Sequence, residues 1–265
     1  MKLSIITVNL NNLNGLKKTI DSVVAQTFKD FEWIVIDGGS TDGSRELIEH
    51  FADHITYWVS EPDKGIYNAM NKGIKVAKGE YLLFLNSGDW LCDGTVLERF
   101  ANGKYLEDIV YGNIIKVFGN GKQQNSKTDP LYCNTADKLT LRSLAFGTIP
   151  HQASFIKKDL FGKYGLYDES YKIVSDNVFY IKTILEGDAS YRYVDMDVSF
   201  FDAEGIGNGC GDEHWASLTK MYPHYIVKDY LAFNDEIEKL KCRIKTYENN
   251  WVHRMGKIMK GLWKS

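Results

Sequence analysis

The sequence predicts an α/β protein with a mainly parallel central sheet flanked by helices. Short apolar runs alternate with amphipathic stretches through the first hundred residues, the pattern of βαβ units. Most of those runs stop in a polar turn rich in Asn, Asp, Gly and Ser, which places polar groups at the carboxyl edge of the sheet, where open α/β sheets bind ligands. No segment approaches the roughly 18 consecutive apolar residues of a membrane-spanning helix.

Leu3–Val8 reads as the first strand and runs into the turn Asn9-Leu10-Asn11-Asn12. Leu16, Ile20, Val23 and Val24 then recur at helical spacing over Leu16–Ala25. Trp33–Ile36 is a second strand, ended by Asp37-Gly38-Gly39-Ser40, and Ser40 and Asp42 are suited to cap a helix from Gly43 to Phe51. Ile55–Val59 is a short strand and Ile66–Ala77 a helix, closed by Lys78-Gly79. Tyr81–Leu85 is a fourth strand, ending in Asn86-Ser87-Gly88-Asp89.

The alternation loosens after about Phe100. Asp108–Phe118 reads as a strand with Gly119-Asn120-Gly121 as a hairpin turn. Lys122–Ala136 reads as polar loop, Gln152–Ile156 as a strand, Asp159 as the start of a short helix, Asp176–Glu186 as a helix and Tyr191–Phe201 as a strand. A glycine-rich stretch, Asp202–Gly211, precedes a mostly helical tail. Residues 1–205 are therefore expected to form one domain and residues 206–265 a C-terminal helical extension.

The chain has 265 residues and a formal net charge of −3, so no global field draws it to nucleic acid. Cys92, Cys133, Cys210 and Cys242 show no CxxC spacing, which argues against a structural zinc or a redox dithiol and suits reduced thiols. The N-terminus enters its first strand without a signal-like segment, and the expected location is cytoplasmic. Between Lys239 and Ser265 eight basic residues face one acid, Glu248, and Trp251, Met255, Ile258, Met259, Leu262 and Trp263 interleave with them. Such a helix can lie on an anionic membrane surface or dock with a solvated basic face.

Four segments carry a resemblance: Ile5-Ile6-Thr7-Val8-Asn9, Ile36-Asp37-Gly38-Gly39-Ser40-Thr41-Asp42-Gly43, Asn68-Ala69-Met70-Asn71-Lys72-Gly73 and Phe84-Leu85-Asn86-Ser87-Gly88-Asp89. In this order and spacing, across about residues 1–205, the chain resembles the family 2 glycosyltransferases. The resemblance implies the GT-A fold and an inverting transfer from a nucleoside-diphosphate sugar, a UDP-sugar being favoured. It implies an acceptor that is a saccharide or lipid-linked saccharide of a bacterial surface polysaccharide, and Mg²⁺ or Mn²⁺ as cofactor.

The turns fit those roles chemically. Asn9, Asn11 and Asp37 follow adjacent strands, where amide and carboxylate groups can bond the edge of a base. Asp63 and Lys64, in Glu61-Pro62-Asp63-Lys64-Gly65, either meet ribose and phosphate or form a turn and helix cap. Asn71 lies on the helix that follows. In the resemblance, Asn86-Ser87-Gly88-Asp89 is the acidic metal turn, with Asn86 and Gly88 where acids are usual. Asn86 and Ser87 then face the donor, and Asp89 is the remaining carboxylate for the metal. Ser175-Asp176 stands where the family has an acidic pair, which makes Asp176 the base that takes the acceptor's proton. Pro150-His151-Gln152 resembles a segment near the acceptor and pyrophosphate, although a lone His such as His151 is more often structural. His214 stands where some relatives place a metal-ligating His or, at least as readily, at a helix start.

Asp195-Met196-Asp197 sits within a strand and reads as structural. Gly205–Gly211 fails the dinucleotide fingerprint, because Cys210 and Asp212 stand where glycine is needed. Two rivals remain open. A sugar nucleotidyltransferase calls for a glycine-rich basic loop after the first strand, and here that loop is rich in Asn. A non-catalytic nucleotide-sugar-binding or scaffold protein is favoured by the thinned acids at Asn86, Gly88 and Ser175.

Overall fold

The structure is a computed structural model that describes residues 3–129, 132, 139–140, 143–144, 147–203 and 234–246. The glycine-rich loop over 205–211, His214, Cys133, Cys210 and the basic tail beyond residue 246 lie outside the described residues. The chain divides into two compact units, Met1–Trp215 and Ala216–Ser265. The second contains a helix over 234–246, with Leu240 and Ile244 exposed. No helix among the described residues is long and apolar enough to cross a membrane.

The first unit is organised by a nine-stranded sheet. Its strands are β1 (Leu3–Asn9), β2 (Phe31–Asp37), β3 (Tyr57–Ser60), β4 (Tyr81–Phe84), β5 (Trp90–Leu91), β6 (Ile109–Val117), β7 (Gln123–Asn125), β8 (Ser154–Lys157) and β9 (Tyr191–Asp202). The order is β3-β2-β1-β4-β8-β6-β9-β5, with β7 paired to β6. The first four strands are mutually parallel. They are linked by α1 (Leu13–Val24), α2 (Ser44–His50) and α3 (Ile66–Val76). β8 runs antiparallel between β4 and β6, and β9 returns parallel to β6.

The parallel half forms as its sequence directs. All seven residues of β1 and all four of β4 are buried, so both faces are covered and the strands read as continuous apolar runs. Leu16, Ile20 and Val23 of α1 pack with Ile5, Trp33, Val35 and Leu83 in one core. Phe155 of β8 extends that core by stacking on Phe100, with ring centroids 3.6 Å apart. Phe100 belongs to α4 (Val96–Asn102), which the sequence did not announce, while the short helix expected from Asp159 is α5 (Lys158–Tyr164). β5 was also unannounced, since it has two residues and exists only through its pairing with β9.

Helix α3 lies against β1, and the contact is close at Gly73. A Cβ there would stand 2.5 Å from Ile6 Cγ2, a β-branched atom with little room to move. Gly73→Ala is expected to lower the unfolding free energy by about 1–3 kcal/mol, the usual cost of overpacking, read from the midpoint of urea unfolding.

Two local expectations change. Ser40 is not a helix cap, because its hydroxyl faces Asp37 and Asn9 in the loop between β2 and α2. Asp42 accepts from the backbone N–H of Ser44 as a capping residue would, and also from Leu13 N–H at the start of α1. Part of the stretch read as polar loop after Lys122 is strand β7, closed against β6 by a turn at Gly121, whose φ is +77°.

Candidate functional site

Strands β1 and β4 are neighbours, but the connections leaving them diverge. That makes the carboxyl edge between them the switch point of the sheet. The turn Asn86–Asp89 sits there. Leu85 N–H bonds Ile6 O and Ser87 N–H bonds Val8 O, which prolongs the β1–β4 ladder into the turn. Thr19 of α1 accepts from Gly88 N–H and donates to Asp89 O, while Asn12 Nδ2 donates to Ser87 O. The turn is therefore held from α1 before any ligand is considered.

The loops after β1 and β2 are laced together. Asp37 is 0% exposed, and its two carboxylate oxygens accept five bonds. Asn9 Nδ2 and Ser40 Oγ donate to Oδ1, while Gly39 N–H, Ser40 N–H and Ser60 Oγ donate to Oδ2. Burial alone would raise its pKa, but the bonds from Ser40, Ser60 and Asn9 outweigh burial and hold it below the ordinary value. Asn11 completes the lacing, with its N–H on Ser40 Oγ and its Oδ1 accepting from Thr41 N–H. Asp37 thus shapes the loops, and the groups these loops leave at the edge are the exposed Leu10 and the buried, unpartnered Asn9 Oδ1.

Asp63 fills the space beside Gly38. A Cβ at Gly38 would stand 2.6 Å from Asp63 Oδ2, while Asp63 Oδ1 accepts from Gly65 N–H. Lys64 is exposed next to it. Asn71, expected on the donor side, is 2% exposed and its amide is engaged at both ends. Its Nδ2 donates to Tyr167 O and Glu169 Oε1, and its Oδ1 accepts from Tyr167 N–H. With Asn68, which donates to Glu169 Oε2, it ties α3 to the segment preceding Asp176.

Asp176 opens α6 (Ser175–Tyr180), which continues as a π-helical turn over Ile181–Glu186. Its carboxylate is gripped from two sides. His151 Nδ1 lies 2.9 Å from Oδ2, and Tyr67 Oη donates to Oδ1 at 2.8 Å. Burial pushes Asp176 up. The hydrogen bond and charge of His151, with the Tyr67 bond, bring it below the ordinary carboxylate value. Burial pushes His151 down, and Asp176 and Asp89 more than restore it, leaving it raised. The two shifts describe one pair, a carboxylate and an imidazole that hold each other charged.

The far side of His151 meets the strand-edge turn, with Nε2 3.2 Å from Asn86 Nδ2. When the imidazole is neutral, Asn86 Nδ2 donates to Nε2 and Asn86 Oδ1 is left buried without a protein partner. When it is protonated, Nε2–H needs an acceptor and the Asn86 amide must turn its oxygen toward it. Asp89 is 5% exposed. Burial drives its pKa up to about 7, the nearby His151 charge lowers it and that of Asp202 at the end of β9 raises it.

Among the described residues no three His, Cys, Asp or Glu side chains cluster as a ready metal cage. The donors present still fit Mg²⁺ or Mn²⁺. Asp89 offers a buried carboxylate, and Asn86 an amide oxygen without a partner. Both are hard oxygen donors, and Mg²⁺ commonly takes few protein ligands beside phosphate and water.

The structure thus brings Asn86, Asp89 and Asp176 into one chain of contacts through His151, and groups Asn9, Asn11, Asp37 and Asp63 on the adjacent loops. Tyr67, Glu169 and Asp202 were not read from the sequence. Tyr67 lies 109 residues from its partner Asp176. Asp195 and Asp197 lie within β9, where Asn113 Nδ2 contacts both, consistent with a structural part.

Residues 4–164 match the sequence model of Glycosyl transferase family 2. An uncharacterized glycosyltransferase of Mycobacterium tuberculosis is 34% identical over 212 residues, covering 77% of this chain and 76% of that protein. A PGL/p-HBAD biosynthesis glycosyltransferase of Mycobacterium bovis is 31% identical over 225 residues, covering 82% and 84%. The chain belongs to glycosyltransferase family 2. It is a nucleotide-sugar glycosyltransferase with the GT-A fold. Among solved structures, S. aureus TarS 1-349 in complex with UDP-GlcNAc superposes with a TM-score of 0.62 at 22% identity, covering 77% of this chain and 59% of that chain. The mannosyltransferase PcManGT of Pyrobaculum calidifontis, in complex with GDP-Man and Mn²⁺, gives 0.57 at 14% identity, covering 77% and 58%. The chain therefore spans less than two thirds of either solved chain.

Proposed function

We propose that this protein is an inverting glycosyltransferase that moves one sugar from a UDP-sugar to a hydroxyl of a saccharide or lipid-linked saccharide in bacterial surface glycan synthesis. The observation that carries the chemistry is the grip on Asp176. A buried carboxylate held ionised by two donors, and linked through His151 to the turn that would face the diphosphate, suits a general base. The acceptor oxygen attacks the anomeric carbon as the bond to the diphosphate breaks, and its proton passes to Asp176. One face of the sugar meets the base and the other the leaving group, so the anomeric configuration inverts.

The UDP and UDP-GlcNAc complexes of TarS support a uridine donor for this chain, and the M. bovis relative's naming for PGL/p-HBAD biosynthesis supports a biosynthetic transfer. Asn9, Asn11, Asp63 and Lys64 line the donor side, with Ser87 at the strand edge, while Asp37 and Asn71 act by holding the loops. Asp89 and Asn86 would hold Mg²⁺ or Mn²⁺, which when bound neutralises the departing diphosphate. The basic C-terminal segment would bring the enzyme to a membrane-borne acceptor at the cytoplasmic face.

The test is nucleoside diphosphate release from a panel of UDP-, GDP- and dTDP-sugars with Mn²⁺ and a lipid-linked saccharide acceptor. Turnover of one UDP-sugar that is lost in Asp176→Asn supports the reading. Binding of that donor with no turnover under any of these conditions opposes it. Gly38→Ala gives a finer check, since its methyl displaces Asp63. Donor affinity is expected to fall about tenfold, the effect of one hydrogen bond to a charged group, measured by titration calorimetry.

A further inference from the structure

We propose that Tyr67 is a positioning residue for Asp176, and that through it helix α3 ties the donor loop to the catalytic base. This rests on the reading of Asp176 as the base. Tyr67 is 4% exposed, on the first turn of α3, directly after the loop that carries Asp63 and Lys64. Its hydroxyl shares one proton between two acceptors, Asp176 Oδ1 and Ile173 O at the approach to α6. Its ring packs on Tyr167, with centroids 5.5 Å apart, and Tyr167 is itself bonded to Asn71 one turn further along α3. Three side chains of one helix therefore fasten the segment from Tyr167 to Asp176.

The physical need is orientation. The terminal torsion of an aspartate is soft, so a single donor leaves the carboxylate plane free to rock. With His151 on Oδ2 and Tyr67 on Oδ1, both oxygens are fixed and the remaining lone pairs face one direction. The titratable groups that face Asp176 are His151 from the turn before β8, Tyr67 from α3, Tyr167 from the connecting segment and Tyr180 from α6. Tyr67 supplies a second, uncharged donor to the carboxylate. Because α3 begins at the donor loop, a shift of that loop on donor binding would move the hydroxyl and with it the base.

The test compares the wild type with Tyr67→Phe, which keeps the ring and its packing. The titration of Asp176 is followed by carbon-13 NMR of the aspartate carboxyls in the protein alone, with the Asp176→Asn spectrum giving the assignment. The bond to Tyr67 stabilises the ionised form, so its removal should raise the Asp176 pKa, by roughly one unit for a tenfold effect. Asn68→Ala, which removes one of the two amides on Glu169 and leaves the hydroxyl in place, should not move it. In turnover of a UDP-sugar with Mn²⁺, Tyr67→Phe should lower kcat roughly 10–100-fold with donor KM little changed, and shift the acid limb of the profile upward. An Asp176 titration identical in wild type and Tyr67→Phe would overturn the proposal, whatever the turnover. Turnover retained in Asp176→Asn would instead remove the base reading and leave the titration result standing.

Discussion

Asp176→Asn should lower sugar transfer by roughly 10²–10⁴-fold, the range supplied by a general base, while donor affinity stays near that of the wild type. The asparagine keeps the size of the side chain and one oxygen acceptor, so the grip from Tyr67 survives. It cannot take a proton from the acceptor at neutral pH. The pH dependence follows from the shifts. Asp176 is lowered, so the stability it contributes is present above the unfolded aspartate value near 3.8 and is lost as pH falls through its still lower folded value. His151 is raised above 6.5, so its contribution is present below 6.5 and is lost as pH rises through its folded value. The pair is fully charged between those limits. Asp176→Asn should remove the first dependence and weaken the second, to which Asp89 also contributes, and thermal unfolding followed from pH 3 to 9 would show it. Unchanged turnover in this variant would contradict the assignment.

The second large effect concerns Asp89. Its carboxyl is pushed up to about 7 chiefly by burial, the reverse of the usual salt-bridged acid. The folded protein therefore binds a proton that the unfolded chain releases above about pH 4, and metal-free stability should fall as pH rises toward 7. A bound divalent cation removes that cost. Mn²⁺ affinity should rise about tenfold per pH unit below 7 and level off above it. His151 acts in the same direction, because its deprotonation releases Asn86 Oδ1 for the metal. Asp89→Asn should abolish the Mn²⁺ response and stabilise the metal-free protein at pH 8, by roughly 2–4 kcal/mol. It should also cut transfer by at least 10²-fold, as expected when charge on a leaving diphosphate goes uncompensated. Calorimetric Mn²⁺ titrations at pH 6, 7 and 8 measure the first effect, and an affinity flat across that range would contradict it.

The parallel half of the sheet was legible because β1, β2 and β4 are buried on both faces and their apolar runs end in turns. β8 was found as a strand, but its antiparallel place between β4 and β6 was not, since pairing between residues some seventy positions apart leaves no local signal. β5 was too short to stand out. At the site the same divide holds. Asp89 and Asn86 sit in a recognisable turn and Asp176 at a recognisable helix start. His151 was noticed only through its neighbours Pro150 and Gln152, and Tyr67 looked like any aromatic on a buried helix face. The network they form joins residues 65, 25 and 109 positions apart, and only the folded chain brings them within bonding distance. Asn71 shows the converse: an amide in a family-like segment whose bonds go to a loop of the protein itself.

The most direct measurement is proton NMR of the first-formed sugar when an α-configured UDP-sugar is turned over in water with Mn²⁺, before mutarotation mixes the anomers. Water then stands in for the acceptor hydroxyl and gives its proton to Asp176. The β anomer should appear first with the wild-type enzyme, and release should vanish in Asp176→Asn. An α anomer formed first, or release that survives the substitution, would contradict an inverting transfer based on Asp176.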